Sequence, residues 1–168
     1  LFLEVCKQLG VDEHIALEGM ANYQRDPYAV DIYKLGNNSI FIGGFSINDP
    51  MSIKIVYNKI MRKFVKNNFK LILLINNRLD RGYRTYQHTE LAVELKPDTI
   101  WIMGGNRRVM ARNMAKQLPS TSIKAFNNAK DLPLNSLKDG EIIFAFGNVG
   151  DSGNKIMDRV KKEGVLYV

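Results

Sequence analysis

Arginines, amides and glycines follow four short apolar runs in this sequence, and such residues present the N–H donors that bind anions. Each run is predicted to be a buried strand, and a helical pattern follows each loop. In a parallel α/β sheet, the loops from strand to helix lie along the carboxyl edge, where these sheets bind ligands. The sequence therefore predicts one binding edge for a phosphorylated or carboxylated molecule, formed by residues 46–50, 76–81, 104–108 and 147–153.

The second loop holds the densest group of charges. Arg78, Asp80, Arg81 and Arg84 place three guanidiniums and one carboxylate close together in the sequence. Asp80 can neutralise one arginine, which would make the group an internally paired surface cluster. Two guanidiniums would remain, and their planar forked donors suit bidentate binding of a carboxylate or phosphate. We therefore expect these residues to contact an anionic substrate.

The third loop places Arg107 and Arg108 at the start of a predicted helix, after two glycines and an asparagine. A positive charge there opposes the helix dipole, at a cost of roughly a few tenths of a kcal/mol for each arginine. An anion bound between the arginines and the helix end would remove this conflict. The alternative is that both arginines are simply solvated.

The first and fourth loops also have two interpretations each. In the first, Asp49 and Ser52 suit the start of a helix around Pro50. Capping leaves other leading N–H groups free, so Asn48, Asp49 and Ser52 can also contact a ligand. In the fourth, the glycine-rich turn at Gly147, Asn148 and Gly150 could cradle an anion, although such turns are common and this one matches neither the Walker loop nor the dinucleotide fingerprint.

Composition limits the class of protein. The 168 residues can form one well-packed domain with a small extension, and the net charge of +7 favours anionic partners without choosing among them. The single cysteine excludes an internal disulfide and favours a reducing compartment such as the cytoplasm. His14 and His88 have no Cys, His or acidic neighbour at ligand spacing, so we predict no metal site. No catalytic residue is predicted either.

The order of the predicted elements indicates the fold. Two helical stretches come first, residues 24–27 interrupt the helical pattern at Pro27, and a β-hairpin follows with its turn at residues 36–38. Strands and helices then alternate. We predict a Rossmann-like α/β fold with a mostly parallel sheet, helices on both faces, an N-terminal β-hairpin and a helical extension. The predicted strands are 29–35, 39–45, 70–76, 98–103, 121–126, 141–147 and 165–168, and the helices are 1–9, 12–23, 50–65, 83–95, 107–117 and 153–162.

Four stretches resemble a known family. They are similar to the C-terminal part of the ligase subunit of poly-γ-glutamate synthases, the capsule-forming branch of the Mur ligase superfamily. Asn48-Asp49-Pro50 and Arg78-Leu79-Asp80-Arg81 are fairly specific to that branch, whereas residues 104–134 are similar only in pattern. The stretches that carry the resemblance are 3–20, 45–52, 74–84 and 146–150.

The resemblance implies an ATP-dependent amide ligase that forms γ-glutamyl bonds. Such enzymes use ATP and Mg²⁺ to make an acyl phosphate, which an amine then attacks. It also implies that residues 1–26 are the terminal helices of a preceding central ATPase domain with a hinge near Asp26-Pro27, and that residues 27–168 are the C-terminal Rossmann-like domain. The chain contains no Gly-x-x-x-x-Gly-Lys-Ser/Thr motif. We therefore expect ATP and Mg²⁺ to be bound mainly by the central domain, and this chain alone to be inactive.

Roles for single residues and partners follow from the resemblance and from the side-chain chemistry above. The aspartate that contacts the ribose in the broader Mur ligase superfamily corresponds to Phe45 here, which could stack on a ligand or simply pack. The implied partners are glutamate, poly-γ-glutamate, the central domain, and membrane subunits that would hold the enzyme at the inner face of the membrane. Nucleotide contacts are expected from Asn48, Asp49 and Ser52, and substrate contacts from Arg78, Asp80, Arg81, Arg84, Arg107, Arg108, Gly147, Asn148 and Gly150.

The alternative is a non-catalytic α/β binding module whose basic edge binds nucleic acid or an acidic protein. The arginines cluster at strand ends and do not alternate with aromatic residues, which argues against single-stranded nucleic acid. A steep salt dependence of DNA binding would favour this alternative.

Overall fold

A single mixed sheet organises the chain. The computed structural model describes residues 1–22, 29–64, 68–150 and 152–167. Within those ranges the strands are β1 (Asp31–Lys34), β2 (Ile40–Gly44), β3 (Lys70–Asn77), β4 (Thr99–Gly104), β5 (Ser122–Ala125), β6 (Glu141–Gly147) and β7 (Val165–Leu166). Their order across the sheet is β5-β4-β3-β6-β2-β1-β7. The first five strands of this order run parallel, and β1 pairs antiparallel with both β2 and β7.

Helices connect the parallel strands. The helices of the described residues are α1 (Phe2–Gln8), α2 (Glu13–Ala21), α3 (Pro50–Met61), α4 (Gly82–Leu95), α5 (Arg107–Gln117) and α6 (Ser152–Glu163). Short 3₁₀ turns lie at Gly36–Asn38, Ala129–Asp131 and Leu134–Ser136.

Both faces of the sheet are covered. Successive strand residues point to opposite faces, so Leu73 and Ile75 pack toward α3, α4 and α5, while Leu74 packs on the opposite side, which includes α6. Because both faces are buried, β3 and β6 are almost continuously apolar rather than alternating. Phe45 is only 2% exposed and packs in the cluster on the α6 side.

The N-terminal hairpin has a left-handed turn. Asn37 and Asn38 have φ values of 56° and 58°, a conformation that asparagine tolerates better than most residues. The Ser39 hydroxyl donates a hydrogen bond of 2.9 Å to the Gly36 carbonyl, which closes the turn. Residues Ile32 and Ile42 face each other across the antiparallel pair. The predicted hairpin is confirmed.

The helical extension consists of α1 and α2, which pack against each other. Asp12 caps α2 by accepting a hydrogen bond of 2.8 Å from the His14 backbone N–H, as its position before the helix indicates. In these two helices only Ala16 is buried.

The predicted fold class is confirmed, and strands and helices agree with prediction to within a few residues at most ends. The predicted hinge at residues 24–27 lies outside the described residues, as do Asp151 and the ends of three predicted elements at residues 23, 65 and 168. In the described part of the chain, no helix is both long and apolar enough to cross a bilayer.

Candidate functional site

The four predicted loops lie along one edge of the sheet. Strands β2, β6, β3 and β4 are neighbours and parallel, so Asn48, Gly147, Arg78 and Arg107 follow or end strands at the same carboxyl edge. The helix after β3 lies on one face and the helix after β6 on the other. The gap between β3 and β6 is therefore a topological switch point, the usual ligand-binding position in such sheets.

A cavity of about 730 Å³ opens at this switch point. This volume lies in the range that is usual for small-molecule sites. We call it the edge cavity. It is lined by Asn76, Asn77, Arg78, Leu79, Asp80, Gly104, Gly105, Arg107, Asn127, Asn148, Gly150 and Ser152.

Asn76 joins β3 to the glycine-rich turn after β6. Its side-chain Nδ2 donates to the carbonyl of Asn148 at 2.6 Å and to that of Gly150 at 3.4 Å. Its own carbonyl accepts from the Asn148 backbone N–H at 2.8 Å. The Asn76 side chain is buried, so these bonds are protected from water and fix the turn from two sides.

Asn77 joins β3 to the turn after β4 in the same way. Its Nδ2 donates to the Thr85 hydroxyl at 2.8 Å and to the Gly105 carbonyl at 3.1 Å. Its carbonyl accepts from the Gly105 N–H at 2.9 Å. Two consecutive asparagines of β3 therefore hold the loops on both sides of that strand.

Two glycines permit these close approaches. Gly104 and Gly147 end the strands on either side of β3 and have φ values of +78° and +106°. A Cβ atom on Gly104 would lie 2.0 Å from the Asn77 carbonyl oxygen, and one on Gly147 would lie 2.4 Å from that of Asn76. Both positions need glycine for conformation and for space.

Arg107 lies inside the edge cavity and is held by neutral acceptors. Its Nη1 donates to the Gly104 carbonyl at 3.0 Å, and its Nε and Nη2 donate to the Asn127 side-chain oxygen at 3.2 and 2.5 Å. A guanidinium has five N–H donors, so two remain without an acceptor among the described residues. No carboxylate of the described residues pairs with it, so its charge is oriented but not neutralised.

Arg78 and Asp80 form a bidentate ion pair at the mouth of the cavity. The Nε–Oδ1 distance is 2.8 Å and the Nη2–Oδ2 distance is 2.7 Å. This hydrogen-bonded guanidinium holds the pKa of the Asp80 carboxyl below its usual value. The pairing of Asp80 with one arginine, one of the two interpretations above, is confirmed.

Arg81 and Arg84 make no salt bridge with any described residue. Arg81 is exposed, whereas Arg84 is half-buried on the first turn of α4. Burial lowers the pKa of Arg84, and the positive charges of Arg81 and Arg78 lower it further. Neither residue lines the edge cavity. They enlarge the positive field beside it.

Asp49 and Ser52 cap α3 and do not line the edge cavity. The Asp49 carboxylate accepts from the Ser52 N–H at 2.9 Å, and Pro50 is the first residue of the helix. Hydrogen bonds from Ser52 hold the pKa of Asp49 below its usual value. The capping interpretation is thus confirmed, while the predicted nucleotide contact stays a prediction. Asn48 donates to the Ser46 carbonyl at 3.2 Å.

His88 lies in the core behind Asn48. It is 1% exposed and packs edge-on against Phe146, with ring centroids 5.3 Å apart. Neither ring nitrogen makes a well-formed hydrogen bond within the described residues. Burial lowers the pKa of His88 to about 4, and the nearby backbone of Asn48 offsets this only in part. The imidazole is therefore neutral at pH 7.

The structure brings Arg78, Asp80, Arg107, Asn148 and Gly150 together in the edge cavity. Gly147 does not line the cavity but pairs with Asn76, which does. Arg108 is exposed and lies outside the cavity. The residues that cap α3 (Asp49, Ser52) and those at the start of α4 (Arg81, Arg84) do not line it either.

Sequence reasoning missed three side chains at the site, Asn76, Asn77 and Asn127. The first two lie in the second predicted loop, where residue type alone indicates no role for them. Asn127 follows β5, so the rule that polar residues after parallel strands share one edge would have found it.

The described residues contain no group of three or more His, Cys, Asp or Glu side chains that could hold a metal ion. Asp80 and Asp49 are already bound to Arg78 and to the start of α3. These residues therefore do not fit the ligand set of Mg²⁺.

Comparison with known proteins gives a family. Residues 30–163 match the family model described as the poly-gamma-glutamate synthase CapB C-terminal domain. Two curated relatives are each 24% identical: the capsule biosynthesis protein CapB of Bacillus anthracis, over 98% of this chain and 37% of the relative, and the PGA synthase CapB of Bacillus subtilis (strain 168), over 95% and 43%. The chain thus spans about two fifths of the length of these relatives.

Solved structures with the same fold include two ligases. A murein peptide ligase from Psychrobacter arcticus has a TM-score of 0.60 at 15% identity, over 99% of this chain and 36% of that one. The MurF ligase from Thermotoga maritima, solved in complex with ADP, has a TM-score of 0.52 at 18% identity, over 96% and 36%. At these identities the likeness shows the fold.

Proposed function

This chain belongs to the family of poly-gamma-glutamate synthase CapB C-terminal domains, and on that premise we propose that it is the substrate-contacting domain of an ATP-dependent amide ligase. The product bond would join the γ-carboxyl of one glutamate to the amino group of another. In our proposal the edge cavity receives an acidic substrate.

The observation that carries this proposal is the state of Arg107. Its guanidinium lines the edge cavity, is oriented by Asn127 and the Gly104 carbonyl, and keeps two donors for a ligand. A charge held by neutral acceptors attracts an anion more strongly than one already paired. The forked geometry suits a carboxylate.

Arg78 would be the second cation of the site. It binds Asp80 through two parallel N–H···O bonds, which is the arrangement a substrate carboxylate would need. A substrate could therefore replace Asp80 on this guanidinium, or share it. Asp80 would then act as the internal competitor that keeps Arg78 in position while the site is empty.

The proposed reaction has two steps. A carboxylate oxygen attacks the γ-phosphorus of ATP, ADP leaves, and an acyl phosphate forms. The amine nitrogen then attacks the acyl carbon, phosphate leaves, and the nitrogen loses a proton. Both the acyl donor and the amine are acidic molecules, so the residues of the edge cavity would orient substrate carboxylates that do not react.

Nucleotide and Mg²⁺ are assigned mainly to a separate central domain, because this chain has no phosphate-binding loop motif. Asn48, Asp49 and Ser52 would face the nucleotide from this domain, in agreement with their position at the same carboxyl edge. Residues 1–26 would belong to the central domain. Membrane subunits of a polymer synthase remain proposed partners.

Calorimetric titration of the purified chain with L-glutamate tests the proposal. Loss of a charge-assisted hydrogen bond costs about 1.5–3 kcal/mol, so Arg107→Gln should weaken binding tenfold or more. Arg108→Gln is the matched control, since Arg108 is adjacent but outside the cavity. Equal affinities of wild-type and Arg107→Gln chains, with equal thermal midpoints, would show that the cavity is not the glutamate site.

A further inference from the structure

A row of exposed cations runs along α5, away from the edge cavity. Arg108, Arg112 and Lys116 are four residues apart, so they lie on one face of the helix at intervals of roughly 6 Å. All three side chains are exposed. We call them the α5 cation row.

The α5 cation row is not balanced by acidic residues of its own helix. The sequence of α5 from Arg107 to Gln117 contains four cations and no Asp or Glu. Like charges at this spacing destabilise a helix by roughly 0.2–0.5 kcal/mol for each pair. The cost remains in the free protein, and a bound polyanion would remove it.

The row also lacks partners on other elements. Lys54 pairs with Glu94, and Arg159 pairs with Glu163, but no member of the row has a salt bridge with any described residue. Glu90 of α4 lines the same cavity of about 380 Å³ as Lys116, without pairing to it. The positive charge of the row is therefore largely available to a ligand.

The row starts where the edge cavity opens. Arg107 lines that cavity, and Arg108 is the next residue, at an α5 N-terminus that has no side-chain cap. Tyr86 lines the smaller cavity with Lys116, and Tyr83 lies one turn earlier on α4. Tyr86 and Tyr83 are 67% and 74% exposed. A ligand leaving the edge cavity would thus meet cations on α5 and flat apolar surface on α4.

We propose that the α5 cation row holds a γ-glutamyl chain whose end occupies the edge cavity. This inference rests on the proposed function. A γ-amide bond uses the side-chain carboxyl and the amino group, so every residue of the chain keeps a free α-carboxylate. The polymer is therefore a regular polyanion, and a regular row of cations on a rigid helix suits it better than it suits free glutamate.

The test compares two ligands and two triple variants. The purified chain is titrated with L-glutamate and with a γ-glutamyl oligomer long enough to span the row. One variant combines Arg108→Gln, Arg112→Gln and Lys116→Gln. The control combines Lys59→Gln, Arg62→Gln and Lys63→Gln, which removes the same charge from exposed positions near the C-terminal end of α3, at the opposite edge of the sheet.

We expect the row variant to weaken oligomer binding about tenfold and glutamate binding less than about twofold, because three exposed charge contacts add up only for the longer ligand. The control should change both by less than about twofold. If the row variant and the control lose oligomer affinity equally, net charge alone explains the loss and the inference is wrong. Tighter, equally row-dependent binding of single-stranded DNA would also overturn the inference, because it would make the row a nucleic-acid surface.

The glutamate titration separates the inference from the function on which it rests. If the wild-type chain binds glutamate but its oligomer affinity does not depend on the row, the inference alone is wrong. If the wild-type chain binds neither ligand, the proposed function fails with it.

Discussion

The side chain of Asn76 donates a hydrogen bond of 2.6 Å to the backbone carbonyl of Asn148, 72 residues away in the sequence. This bond joins β3 to the turn after β6, one position beyond the last paired residues of the two strands. The shape of the edge cavity therefore depends on a buried amide as well as on strand pairing.

Asn76→Asp should destabilise the fold and distort the cavity. The substitution replaces an N–H donor by a carboxylate oxygen that faces the carbonyls of Asn148 and Gly150, in a position that is buried. We expect a loss of about 1–3 kcal/mol in the free energy of unfolding. Urea denaturation measures it, with the exposed Asn58→Asp on α3 as the control. Equal stability of the two variants would contradict the role given to Asn76.

Gly147→Ala should lower the free energy of unfolding by a similar amount, for a different reason. Its φ of +106° is unfavourable for alanine, and the new Cβ would lie 2.4 Å from the Asn76 carbonyl oxygen. Strain of this kind costs roughly 1–3 kcal/mol. Gly19→Ala is the control, because nothing lies within 4 Å of its position in α2 and alanine favours helix. A Gly147→Ala protein with an unchanged thermal midpoint would rule out this close approach.

Arg78 and Asp80 should affect substrate binding in opposite directions. Arg78→Ala should weaken glutamate binding by about 1.5–3 kcal/mol, and Arg78→Lys should restore only part of it, since an ammonium lacks the fork. Asp80→Asn should strengthen binding, because it removes the internal competitor. Arg81→Ala should reduce polymer synthesis by the intact enzyme, while its thermal midpoint should change little.

The arginine variants are measured by calorimetric titration with glutamate, by polymer synthesis of the intact enzyme and by thermal denaturation. A large fall in thermal midpoint for Arg78→Ala, with unchanged glutamate affinity, would indicate that the ion pair only holds the loop. Normal polymer synthesis by both Arg78→Ala and Arg81→Ala would show that these arginines do not hold substrate carboxylates.

His88 should make stability depend on pH. Its folded pKa is about 4, below the ordinary value of 6.5, so the unfolded chain binds more protons between these values. The contribution of His88 to the free energy of unfolding is then fully present above about pH 6.5. It falls as the pH decreases toward 4, by up to about 1.4 kcal/mol per pH unit. Denaturant midpoints at pH 7 and pH 5 measure the slope. His88→Met should flatten it, whereas His14→Gln, on the exposed side of α2, should not.

The chain by itself should neither hydrolyse ATP nor form γ-amide bonds, because it contains no Gly-x-x-x-x-Gly-Lys-Ser/Thr motif. Phosphate release by the purified chain is the measurement. Steady turnover that a substitution within this chain abolishes would falsify the assignment of the phosphate-binding loop to another domain.

The sequence alone determined the order of strands and helices and the edge on which the loops meet. Continuous apolar runs such as β3 and β6, separated by helical patterns, are compatible with few arrangements other than a parallel sheet covered on both faces. In that arrangement the position of a polar residue after a strand follows from chain direction. The cap at Asp49 and the turn at residues 36–38 were predictable for the same reason, since their hydrogen bonds are local.

Only the tertiary structure decided which loop residues form the cavity and which arginines are neutralised. Strand order places β6 between β2 and β3, and this brings Asn148 onto Asn76. Asp80 reaches Arg78, whereas Arg107 turns inward to Asn127 and Arg108 outward to solvent. These outcomes depend on rotamers and on contacts between residues distant in sequence, whose energies differ by about 1 kcal/mol. Residue type and spacing carry no information on differences of that size.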